Sequence, residues 1–190
     1  MKMIRSKIAL VVAAASVLAG CSAFRADPVA VRAEPTYKDA TDNAFLNSSK
    51  DAVGKLLGGL APDSIGPGPV LVATIVDVND MGRAAPLGRT LSEQYATNMA
   101  MAGFNVKEVK LRGNVFVREG TGELMLSREV RDIARQHNAV MVLVGTYSPA
   151  AAYTYVSTKL VRTEDSRIIR AYDYALPMDR DVKRLLGAPR

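Results

Sequence analysis

Two apolar runs dominate the chain. Val70 to Val76 carries three valines and Ile75, and Ala139 to Gly145 repeats the pattern. Neither alternates strictly between apolar and polar positions, so each reads as a strand buried on both faces. Between them Leu87, Leu91, Tyr95 and Met99 recur at four-residue spacing. That spacing predicts a helix over about 87–102, stopped by Gly103. Val106, Val109 and Leu111 predict a second strand, and the lysines interleaved with them suit a sheet edge. Gly113 and Asn114 turn the chain into a short segment over 115–117, and Gly120 to Gly122 form another turn. Ser127 then reads as an N-cap with Glu129 in the first turn. Val130, Ile133, Ala134 and His137 share one face of the helix that follows.

Upstream, Tyr37, Ala40, Ala44, Val53, Leu56, Leu57 and Leu60 lie near helical spacing and predict one helix over about 36–60, weakened by Gly54, Gly58 and Gly59. Pro62 and the run Gly66 to Pro69 make a loop. Downstream, Tyr153 to Val161 and Arg167 to Tyr174 read as an antiparallel hairpin joined near 163–166. Pro177 ends it, and 179–186 reads as a short helix. Strands alternating with helices require right-handed crossovers and a parallel portion. The expected fold class is α/β: a mixed five-stranded sheet in the order second, first, third, fourth, fifth, with covering helices and a C-terminal antiparallel hairpin. The short 115–117 segment is left out of that order.

The N-terminus has a different pattern. Lys2, Arg5 and Lys7 precede an apolar stretch from Ile8 to Leu18, and Leu18-Ala19-Gly20-Cys21 follows. A basic region, a short apolar region and small residues before a cleavage point make a secretory signal. The stretch is too short to span a bilayer, which takes about 20 apolar residues. Leu-Ala-Gly-Cys resembles the lipobox of bacterial lipoproteins. The resemblance implies cleavage before Cys21, a diacylglycerol thioether on its sulfur, and acylation of the new amino terminus. By the same resemblance Ser22, in place of a retaining aspartate, implies sorting to the outer membrane with the domain facing the periplasm. The expected organisation is a signal peptide over 1–20, a lipidated tether over 21–35, an α/β domain over 36–177 and a C-terminal tail over 178–190.

Composition narrows the partners. The formal charge of +6 falls once Lys2, Arg5 and Lys7 are removed, leaving 22 basic against 19 acidic side chains. That excess is too small to suggest nucleic acid. Cys21 is the only cysteine, so no disulfide forms within the chain and stability rests on packing.

Four blocks are informative together: Leu87-Gly88-Arg89-Thr90-Leu91-Ser92-Glu93, Gly103-Phe104-Asn105-Val106, Gly122-Glu123-Leu124-Met125-Leu126-Ser127-Arg128, and Leu143-Val144-Gly145-Thr146-Tyr147. The first and third each read as opening a helix. Downstream of a lipobox, this succession resembles the FlgO family of outer-membrane lipoproteins over roughly 70–177. The resemblance implies an α/β domain related to those of TolB N-terminal and curli-secretion lipoproteins. It also implies a non-enzymatic role at the flagellum, in outer-membrane stability and motility.

Few residues carry chemistry by themselves. His137, the sole histidine, ends a helix, where a structural role outweighs a catalytic one. Zinc needs three or four convergent ligands, and Cys21 is committed to lipid. No metal or cofactor is expected. No Gly-x-Ser-x-Gly elbow accompanies any serine. Asp77 and Asp80 follow the first strand, where ligands of open α/β sheets bind, but Asp and Asn there also serve as turn residues. Gly66-Pro67-Gly68-Pro69 precedes a strand and lacks the amide donors of a phosphate loop. Arg128, Arg131 and Arg135 form one helical stripe, read as a solvated face or as a contact for an acidic partner or lipid headgroups. Arg89, a cation at a helix start, opposes the dipole and calls for a partner such as Glu93 or a neighbouring subunit. Arg89, Arg128, Arg131 and Arg135 are therefore the candidate partner contacts, and Cys21 the lipidation site. The leading reading is a structural or assembly lipoprotein that contacts itself or other flagellar or envelope proteins. The alternative is an envelope or secretion accessory lipoprotein without a flagellar role.

Overall fold

The computed structural model describes residues 34–80, 85–109, 116–118, 124–126 and 128–187. The chain divides into two compact units, 1–40 and 41–190. In the first, the start of α1 (Tyr37–Thr41) is fixed by a reciprocal cap. Thr36 N–H and its hydroxyl donate to the Asp39 carboxylate at 2.9 and 2.7 Å, and Asp39 N–H returns a bond to the Thr36 hydroxyl at 3.3 Å. The Thr36 amide holds the Asp39 carboxyl below its ordinary range.

The second unit opens with α2 (Ala44–Leu56). The single helix expected over 36–60 is thus two. Asn43 stands extended at φ −63°, ψ 120°, and its side-chain oxygen accepts from Phe45 N–H at 2.9 Å and Leu46 N–H at 3.2 Å. An asparagine that caps a new helix competes with continuation of the old one, and the apolar spacing does not register that local bond.

The main sheet contains β1 (Val70–Ala73), β2 (Val76–Asp77), β3 (Val106–Val109), β6 (Met141–Pro149), β7 (Tyr153–Arg162) and β8 (Ile168–Pro177). Its path is β3-β1-β6-β7-β8, the expected order, and β2 also pairs with β6. The sheet has six strands because the run over 70–76 is broken at Thr74 and Ile75. Val72 lies opposite Leu143 but Val76 lies opposite Thr146, so one extra residue is accommodated on the β1–β2 side. The β1, β3 and β6 pairings are parallel, and β6-β7-β8 is antiparallel.

Both faces of the central strands are covered. On one, Leu87, Leu91, Tyr95 and Met99 of α3 (Pro86–Met101) and Leu56 of α2 pack over Val70, Val72, Leu143, Leu160 and Leu176. On the other, Val130 and Ala134 of α4 (Arg128–Gln136) cover Leu71, Ala73, Val142, Val144 and Val161. This two-sided cover is why β1 and β6 lack alternation. The last helix, α5 (Arg180–Leu185), is capped by Asp179, whose carboxylate accepts from Val182 N–H at 2.8 Å. Val182 is buried in the first core, so part of the stretch set off as a tail helps close the domain.

A further expectation is corrected. Leu124–Leu126 (β5) does not open the helix. It pairs antiparallel with β4 (Phe116–Arg118) as a separate two-stranded sheet, and α4 begins only at Arg128. Three consecutive apolar residues carry no period that separates strand from helix. The short segment set aside in the expected order is the partner strand. The turn expected over 120–122 and the Ser127 cap lie outside the described residues.

Candidate functional site

Two of the informative blocks meet at the break between β1 and β2. A Cβ on Gly88 would stand 1.9 Å from the Ile75 carbonyl oxygen, so only glycine lets the first turn of α3 approach this closely. One turn on, the buried Ser92 hydroxyl accepts from Ile75 N–H at 2.9 Å and reaches the Gly88 and Ala73 carbonyl oxygens at 2.7 and 3.3 Å. The amide freed by the break is thereby satisfied by a side chain. On β6, a Cβ on Gly145 would fall 2.6 Å from the Ser157 carbonyl oxygen and 2.8 Å from the Ile75 side chain. Gly88, Ser92 and Gly145 therefore form one packing device around Ile75, and their chemistry is structural.

Next to it lies a polar network between α2, α3 and β8. The hydroxyls of Tyr95 and Tyr174 share a hydrogen bond of 2.5 Å, and Tyr174 stacks on Tyr172 with ring centres 6.2 Å apart. Ser49, fully buried on α2, donates to the Gln94 side-chain oxygen at 2.5 Å. Burial, with the neighbouring Tyr174 second, pushes the Tyr95 phenol far above its ordinary range. Burial likewise raises Tyr174, opposed by its bonds with Tyr95 and Ser49. Both phenols stay neutral at physiological pH, which suits a hydrogen-bonded strut and not an acid–base pair.

The residues singled out from the sequence do not converge. His137 is exposed after the last turn of α4, with its N–H on the Ile133 carbonyl oxygen at 3.1 Å. Among the described residues no cluster of His, Cys, Asp and Glu could hold a metal ion. Asp77 accepts from Asn79 N–H at 2.8 Å and from the Asn79 side-chain amide at 3.3 Å, the self-bonded turn that competed with a ligand site. With Asp80, Tyr147 and Leu186 it borders a cavity of about 330 Å³. Arg135 is exposed and pairs with Asp132 on its own helix at 3.2 Å, while Arg131 is half-buried. The Arg128 side chain and Cys21 lie outside the described residues. Arg89 is exposed in the first turn of α3 and already engaged in an interaction.

Two surface features were not legible in the sequence. A groove of about 480 Å³ crosses the sheet face that α4 leaves open, bordered by Val78, Thr146, Ser148, Tyr155, Ser157 and Asp173. A second, of about 440 Å³, runs between α2 and α3 and is lined mainly by amide, hydroxyl and charged side chains. Helical periodicity marked the buried face of each helix; it carried no signal for how the two polar faces meet.

Solved structures similar to the chain include the LpoB C-terminal domain from Salmonella enterica, at 19% identity and TM-score 0.47, covering 69% of this chain and 97% of that one. The LpoB C-terminal domain from Escherichia coli matches at 16% identity and TM-score 0.46, covering 70% and 98%. A PelC dodecamer from Paraburkholderia phytofirmans matches at 14% identity and TM-score 0.39, covering 64% and 86%. No curated protein matches the chain. The family model described as FlgO protein matches residues 50–181, from the middle of α2 into α5 and so across the whole main sheet. The chain belongs to the FlgO family.

Proposed function

We propose that the protein is an outer-membrane lipoprotein with a structural or assembly role at the flagellum, supporting motility through protein–protein contacts. The observation that carries this reading is the family match over 50–181 in a chain that also bears a lipobox ending at Cys21. In this proposal residues 1–20 are the signal peptide and 21–35 the tether, with the α/β domain in the periplasm. The tether would reach about 45 Å fully extended, at about 3.3 Å per residue. Each buried CH₂ of the anchor contributes about 0.8 kcal/mol, so two or more chains hold the domain far more firmly than one. The role is non-enzymatic: the buried polar groups are tied to one another as struts, and the exposed surface offers grooves and edge strands. Deletion followed by a soft-agar motility assay and electron microscopy of the flagellar base tests the reading. Impaired swimming or unstable flagella are expected. Normal swimming with normal flagella would favour the envelope or secretion accessory role instead.

A further inference from the structure

Two of the three side-chain amides lining the groove between α2 and α3, those of Gln94 and Asn98, are held by hydrogen bonds. The Gln94 side-chain oxygen is taken by buried Ser49 at 2.5 Å, which leaves the Gln94 NH₂ as the group presented outward. The Asn98 side-chain nitrogen is taken by the Gln94 backbone carbonyl oxygen at 2.8 Å, which leaves the Asn98 oxygen. Gln94 and Asn98 are one helical turn apart, with about 5–6 Å between their Cβ atoms. A fixed donor beside a fixed acceptor matches the C=O and N–H of one residue in an extended peptide, which point to the same side.

Charge and shape extend the match. Lys50 projects from α2 and Glu93 from α3, both exposed and both lining the groove. Neither makes an ion pair among the described residues, where the pairs are Arg135–Asp132 and Arg162–Asp165. Leu46, 46% exposed, supplies an apolar wall at the same groove. We propose that the groove between α2 and α3 binds an extended peptide segment, reading the C=O and N–H of one residue through Gln94 and Asn98 and flanking acidic and basic side chains through Lys50 and Glu93. Complementarity to both signs of charge favours a peptide over a simple anion or cation, and about 440 Å³ is room for a few residues. The proposal names a partner for the contact role above and rests on that role for its biological meaning.

The test is a titration of the full chain in detergent micelles, followed by ¹⁵N NMR on the Gln94 and Asn98 side-chain amides. The probes are acetyl-Glu-Ala-Lys-amide and its reverse, acetyl-Lys-Ala-Glu-amide. Saturable shifts at both amides with either polarity are expected, with neutral acetyl-Ala-Ala-Ala-amide, which lacks both charge contacts, weaker by about 25-fold. Lys50→Gln and Glu93→Gln, both at exposed positions that leave packing intact, should each weaken the charged peptide by about fivefold, in line with roughly 1 kcal/mol for a partly exposed ion pair. Absence of saturable shifts with both charged peptides overturns the proposal. So does equal binding of the neutral peptide, or unchanged affinity in both variants. None of these results alters the motility phenotype of a deletion, so the two readings fail independently.

Discussion

At the scale of single residues, the tightest constraint is at Gly88, where one methyl group has nowhere to go. Gly88→Ala forces α3 away from the β1–β2 break, and overpacking of this kind costs about 1–3 kcal/mol or more. Ser92→Ala removes no bulk but leaves the buried Ile75 N–H without its acceptor, for about 1–3 kcal/mol. Arg135→Ala acts on a side chain that is 77% exposed, and its pair with Asp132 predicts a change under about 0.5 kcal/mol. Urea unfolding midpoints check all three. Losses at Arg135 comparable to those at Ser92 would refute this ranking. The sequence already placed Val72, Ile75, Val142 and Val144 inside, and all four are fully buried. It did not reveal why Gly88 and Ser92 share a block with Leu87 and Leu91. The reason is a long-range contact with Ile75, and spacing within one helix cannot express a demand set by another element.

At the scale of elements, legibility followed period. The two-sided cover of β1 and β6 made them readable as unbroken apolar runs, and the β7–β8 hairpin announced itself by its turn. The β4–β5 pair was missed because Leu124-Met125-Leu126 is too short to show a period, and the break after α1 because Asn43 acts through a hydrogen bond and not through hydrophobicity. The strut that joins α3 to β8 was equally silent, since Tyr95 reads as one more apolar-stripe position of its helix and Tyr174 only as the end of a hairpin strand. It makes a pH prediction. In the unfolded chain Tyr95 ionises at its ordinary value of 10.0, whereas burial in the fold raises it far above that. A raised folded value means the stabilisation is fully present below about pH 10 and is lost as the pH climbs beyond it. The slope is about 1.4 kcal/mol per pH unit for one tyrosine. Tyr95→Phe should lower stability at pH 8 by about 1–2 kcal/mol through the lost hydrogen bond, then show a shallower decline above pH 10. Parallel stability curves for the two proteins between pH 9 and 11 would remove Tyr95 as the responsible group.

At the scale of the whole molecule, what the chain does depends on where the domain is held. A domain of this size without an anchor diffuses through its compartment, whereas a diacylated one is confined to a surface where neighbours meet repeatedly. The family was legible because its blocks are contiguous and fix the fold, and the proposed anchor rests likewise on four contiguous positions, 18–21. The surface grooves were not, because exposed positions carry no hydrophobic period along the chain. The arginine stripe was no better a guide, since Arg135 turns out to be paired with Asp132 on its own helix. If the proposed anchor is right, Cys21→Ser should abolish incorporation of an alkynyl fatty acid and leave the precursor unprocessed, while the folded domain keeps its thermal midpoint. Motility should then fall nearly as far as in the deletion, because the same domain is present but no longer concentrated at the membrane. Ser22→Asp makes the finer test: lipidation persists, and the protein should move toward the inner membrane on a sucrose gradient. Equal labelling of wild type and Cys21→Ser would eliminate Cys21 as the lipid site. Full motility with an unlipidated protein would separate the domain's role from its anchoring and shift the proposal toward a freely diffusing periplasmic partner.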